Sequence, residues 1–82
     1  MDEKKIFEEM INILKPYAKN QELLATATLE THILKDLKVN SARLVDIIIK
    51  CEDVYGISVD DEEADKIRTI GDAVKIIKQK LG

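Results

Sequence analysis

The chain has 82 residues, 45% of them hydrophobic but only 4% aromatic, with no Trp, one Pro and three Gly. That composition leaves little material for turn-rich β architecture and predicts one small all-helical domain, residues 1–82, with an aliphatic core. A formal charge of -3 and a pI near 5.1 exclude the basic face that a nucleic-acid binder needs to release counterions, and favour basic protein partners.

A lone cysteine, Cys51, rules out an internal disulfide, and no Cys/His set stands at zinc spacing. The opening MDEKKIFEEM is too charged for a signal peptide, and the apolar runs fall far short of a membrane span. The chain therefore reads as cytoplasmic, with no metal site and no stable membrane insertion.

In chain order, Asp2 caps a first helix whose apolar positions Phe7, Met10, Ile11, Leu14 and Ala18 recur at helical spacing, widened by Ile6, Ile13 and Tyr17. Pro16 ends or kinks it, because its ring removes the N–H that would bond to the carbonyl of Asn12. From Gln21 to Asn40 the periodicity lapses into a long loop, whose leucines predict packing over the core. His32 in this loop has no second ligand nearby and reads as a structural loop residue.

Ser41 opens the strongly apolar SARLVDIIIKCEDVYG, which Gly56 terminates. A serine there either caps the helix or offers a point of attachment. Leu44, Ile47, Ile48, Cys51, Val54 and Tyr55 share one broad face, and Val45 and Ile49 extend the apolar surface past it, so that Ile49 either awaits a partner or belongs to a helix buried nearly all round. Asp60 or Asp61 then caps a short acidic helix running to Lys66. Thr69 caps the last helix, with Asp72 at its third position and Ile70, Ala73, Val74 and Ile77 facing inward.

The run from Asp36 to Ile77 resembles the acyl carrier proteins. That family shows an Asp-Leu-Gly turn, an Asp-Ser-Leu motif, an amphipathic helix, an acidic short helix and a Thr-capped last helix. Here the matching residues are Asp36-Leu37-Lys38, Asn40-Ser41-Ala42 and the ungapped stretch through "DDEEAD" to Ile77. The resemblance implies a small four-helix bundle, with a long loop between helices one and two and a short third helix. It implies a non-enzymatic monomer with 4'-phosphopantetheine joined to Ser41, carrying acyl thioesters for fatty acid, lipid or secondary metabolite synthesis. Its implied partners are a phosphopantetheinyl transferase and acyl-loading, synthase or acyltransferase enzymes.

The same resemblance places partner contacts at Asn40, Ala42, Arg43, Val45, Asp46, Ile49, Glu52 and Asp53, and an acyl pocket at Ile47, Ile48, Cys51, Tyr55, Ile67 and Val74. Asn40 and Ala42 depart from the family's Asp and Leu. Charge departs too: Lys35, Lys38, Arg43 and Lys50 outnumber Asp36 and Asp46 around the serine, and acidity moves to Glu52, Asp53 and residues 60–65. This pattern suggests a specialised carrier with its own partners. The alternative is an unmodified helical module that binds a partner through Ile49 and the acidic block, and that tolerates loss of the Ser41 hydroxyl.

Overall fold

A computed structural model describes residues 2–82. Its elements are α1 (Glu3–Leu14), α2 (Gln21–Ala25), α3 (Ser41–Tyr55), α4 (Asp61–Asp65) and α5 (Ile70–Leu81), with no named strand among the described residues. The expected bundle is present, and α2 is an addition within the expected loop.

The Asp2 carboxylate accepts the Lys5 N–H at 2.8 Å, which starts α1 as expected. The helix stops before Pro16, and the chain turns with the N–H groups of Tyr17 and Ala18 both donating to the carbonyl of Leu14. The face that α1 buries carries Ile6, Met10, Ile13 and Leu14, whereas Phe7 and Ile11 are only partly covered. Each fully buried aliphatic side chain contributes about 1.5–3 kcal/mol relative to exposure.

A single turn such as α2 has too few residues for a period to be legible. It forms because the Asn20 side chain accepts the Leu23 N–H at 3.1 Å, the Gln21 amide donates to the carbonyl of Ala18 at 2.6 Å, and Leu24 is buried. Ile33 and Leu37 from the rest of the connection are buried as expected, Val39 is buried beside them, and Leu29 stays 37% exposed.

The connection is also stitched to the start of α5. Ile33 N–H donates to the Arg68 carbonyl at 2.9 Å, Ile70 N–H to Thr31 at 3.0 Å and Gly71 N–H to Leu29 at 2.8 Å, forming one antiparallel bridge between His32 and Thr69. A Cβ on Gly71 would stand 2.8 Å from the Leu29 carbonyl oxygen, so this approach needs a glycine. On the other side of that junction, Thr69 and Asp72 form the expected capping box of α5.

α1 packs most extensively against α5, less against α3, and the α3–α5 seam is the thinnest of the three. α1 and α3 run antiparallel: Tyr55 Oη donates to Glu9 at 3.2 Å, and one turn away the Cys51 thiol meets the Met10 sulfur at 3.4 Å. Gly56 ends α3 at φ 64°, in the left-handed conformation expected of a glycine C-cap. Val54 departs from its expected place in the core: it lies in the last turn of α3, where no neighbouring element covers it, and is 46% exposed.

Candidate functional site

The approach to α3 is a closed turn that aims its first residue outward. Asp36 Oδ2 accepts the His32 N–H at 2.8 Å, Asp36 N–H returns to the His32 carbonyl at 2.9 Å, and His32 Nδ1 accepts the Lys35 N–H at 3.2 Å. His32 is thus occupied in the loop, as its isolation in the sequence suggested. Leu37 and Val39 anchor the turn in the core. Lys38 between them has φ 57°, a strained left-handed position for a side-chain-bearing residue, and it stands where the resembling family has glycine.

Asn40, and not Ser41, is the N-cap of α3. Its side-chain oxygen accepts the Ala42 N–H at 2.9 Å and its carbonyl accepts the N–H groups of Arg43 and Leu44. Ser41 is therefore the first helical residue. It is exposed, and its hydroxyl has no hydrogen-bond partner among the described residues. The first turn of α3 contains no acid, while each of the other four helices carries at least one. The positive end of the helix dipole is left open to an incoming anion at Ser41. No imidazole or carboxylate is bonded to the hydroxyl to act as its base.

Around this serine, Ala42, Arg43, Val45 and Ile49 are exposed, Val45 by 57% and Ile49 by 50%. Arg43 is paired with Asp46 at 3.1 Å on the surface, whereas Lys35, Lys38 and Lys50 are exposed with no ion pair among the described residues. Asp53 is exposed further along. Glu52 differs from the rest of the expected contact face: it is half-buried, and its Oε2 accepts the Val59 N–H at 2.8 Å, which makes it an internal strut for the loop after α3.

Between α3, α5 and the α4 segment lies an apolar cavity of about 20 Å³. Four of the expected pocket residues line it: Ile47, Ile48, Cys51 and Ile67. Tyr55 and Val74 do not. Tyr55 lies a turn further along α3, with its hydroxyl on Glu9, and Val74 points from α5 to the opposite side, beside Leu29 and Glu3.

The lining also takes in Met10, Ile33, Leu44, Val59, Ala73, Ile76 and Ile77. Ala73 and Ile77 were legible from their helical spacing, whereas Ile76 lies beside the expected inward stripe of α5. Met10, Ile33 and Val59 come from distant segments and left no local sign. A wider open groove of about 680 Å³ runs between the start of α1 and residues 27–30, but no α3 residue borders it.

Burial pushes the Cys51 thiol up to about 11, aided by the negative charge of Glu52, so at neutral pH it is a protonated lining group and not a nucleophile. Burial raises Tyr55 as well, with the Glu9 carboxylate adding to the effect. Glu63 and Asp72 move the other way. Glu63 is lowered first by its bond to Lys80, at 2.7 Å, and Asp72 by the backbone N–H of Thr69 that it accepts in the capping box.

An exposed serine at the head of a helix whose inner face borders a small apolar cavity fits the attachment point of a small helical carrier. No protein-family model matches the chain. Among curated proteins, the chain is 37% identical over 81 residues to the acyl carrier protein of Coprothermobacter proteolyticus, covering 99% of this chain and 96% of that one. It is also 37% identical over 83 residues to the acyl carrier protein of Lactobacillus acidophilus, covering all of both chains. Among solved structures, the acyl carrier protein of Thermotoga maritima superposes with a TM-score of 0.81 at 30% identity, over 99% of this chain and 92% of that one.

The chain belongs to the acyl carrier protein family, whose members are non-enzymatic carriers of acyl groups. Membership implies a phosphopantetheine prosthetic group and dealings with synthase and acyltransferase enzymes. Nothing in the relatives or the fold favours the unmodified interaction module. No helix among the described residues is long and apolar enough to cross a membrane.

Proposed function

We propose that residues 1–82 form one carrier unit in which Ser41 bears 4'-phosphopantetheine through a phosphodiester at its Oγ. The observation that carries this reading is the free, outward hydroxyl of Ser41 at the first position of α3, with an acid-free first turn behind it. The helix's positive end favours the phosphate that becomes attached there. When attached, the arm supplies the thiol that holds the acyl group as a thioester. The chain's own residues orient the attachment point: Asn40 fixes the helix start, and Leu37 and Val39 hold the preceding turn in the core.

In this reading the protein works as a cytoplasmic monomer, modified by a phosphopantetheinyl transferase and served by acyl-loading, synthase or acyltransferase enzymes. They dock on Asn40, Ala42, Arg43, Val45, Asp46, Ile49 and Asp53. Apolar contact comes from Val45 and Ile49, and the free cations Lys35, Lys38 and Lys50 favour partners with carboxylates near the serine end. Glu52 contributes by fixing the loop beside the face.

Intact-protein mass spectrometry of the chain from its native host tests the proposal. A mass gain of one phosphopantetheine, with or without an acyl group, that disappears in Ser41→Ala is the expected result. An unmodified chain, even with a broad-specificity transferase supplied, would return the protein to the interaction-module reading.

A further inference from the structure

The cavity along the α3–α5 seam has a direction. Leu44, Ile48, Val59 and Ile76, which border it, are all partly exposed, and Leu44 stands one turn from Ser41. Two turns further down α3 the lining is fully covered. There Cys51, 5% exposed, meets Met10, 0% exposed, with Sγ to Sδ at 3.4 Å. Leu44 and Ile48 form a mouth toward Ser41, and the sulfur pair lies deeper along α3, at the end where the Val59 N–H bonds to Glu52.

At about 20 Å³ the cavity has room for roughly one water molecule, so any longer apolar guest must displace part of the wall. The wall is unequal in what it can give. Ile33, Ile47, Ile67 and Ile77 are β-branched and buried, and stiff at χ1. Met10 is unbranched, has three rotatable bonds and reshapes around what it touches. The Cys51 thiol is a weak donor whose one partner is the Met10 thioether, so little is lost when the two part.

We infer that the Met10–Cys51 pair is the movable floor of the acyl site and sets how long an acyl chain the protein shelters. This rests on the proposed attachment at Ser41. The guest enters past Leu44 and Ile48, and swinging the Met10 thioether away from Cys51 opens depth by side-chain rotation alone. Enlarging the floor selects longer chains, and stiffening it selects shorter ones.

The test loads butyryl, hexanoyl, octanoyl, decanoyl and dodecanoyl pantetheine arms onto Ser41 with a broad-specificity transferase, with intact mass confirming each species. The midpoint of thermal unfolding is then read relative to the unacylated holo form. Met10→Ala and Cys51→Ala are expected to move the most stabilising chain up by at least one two-carbon step. Met10→Ile, similar in size but stiff, moves it down.

Val74→Ala serves as the control, since it removes buried volume outside the cavity and lowers all midpoints together. Cys51→Ala deletes a single heavy atom and keeps the test alive where Met10→Ala unfolds. An unmoved optimum in loaded, folded variants, or an equal move in Val74→Ala, overturns the assignment of the floor and leaves the carrier reading intact. Failure of Ser41 to load at all overturns both.

Discussion

The two seams on either side of the core differ in how they are held. Where α1 meets α5, buried aliphatic side chains interlock, and the head of α5 is locked by the His32–Thr69 bridge, the Gly71–Leu29 contact and a capping box. Where α3 meets α5 through the α4 segment, contact is thin, a cavity remains, and α4 contributes no buried side chain. A five-residue helix has no stability of its own. It is held instead by side chains: the Asp60–Glu63 capping box, Glu63 to Lys80 at 2.7 Å and Glu52 to the Val59 N–H at 2.8 Å. The firm seam and the thin one are held by different contacts, and Met10 of α1 is where they meet.

Leu14→Ala should break the firm seam most severely, by about 2–5 kcal/mol in urea unfolding, because Leu14 is fully buried and the space it leaves cannot be refilled. Val54→Ala, on the exposed end of α3, should stay within about 0.5 kcal/mol. Equal losses from the two would erase the distinction. Gly71→Ala is next, at about 1–3 kcal/mol, since its new methyl collides with the Leu29 carbonyl and must push the bridge apart. A neutral result would mean that the junction yields.

Thr69→Ala removes the cap of α5 and should cost about 1 kcal/mol by the same measurement. The partner in that cap sets a pH dependence. Asp72 is lowered in the folded chain by the Thr69 and Arg68 backbone donors, so its stabilisation is fully present above the ordinary carboxylate value of about 4 and is lost as pH falls through the lower folded value. Denaturation midpoints followed from neutral pH to strong acid should drop over that range, and Asp72→Asn should flatten part of the drop.

The smallest effect sharpens the comparison furthest. Lys80→Ala frees Glu63, and amide exchange should quicken in residues 61–67 while the global unfolding midpoint barely moves. Exchange rising equally in α1 would show that the two seams do not open independently.

Much of the site was legible because it depends on local rules. Asp2, Gly56 and the Thr69–Asp72 pair identify helix ends by chemistry that acts within three or four residues, and Ser41 stood out by its position ahead of an apolar helix. Its neighbour proved to be the cap, since Asn and Ser suit that position about equally and the preceding turn decides between them. Val54 and Val74 show where periodicity stops being informative: a helical face predicts which residues turn inward together, but not which neighbour they meet or where that neighbour ends.

The sequence by itself determined the helical class, the main helices, the caps of α1 and α5, the aliphatic core and the serine at the head of α3, because each follows from composition or from spacing within a turn or two. Tertiary structure alone decided the single turn of α2, the stitch between residues 29–33 and 68–71, the inward use of Glu52 and the meeting of Met10 with Cys51. Those contacts join residues far apart in the chain. Their energies exist only once packing has brought the partners together, so no local pattern in the sequence records them.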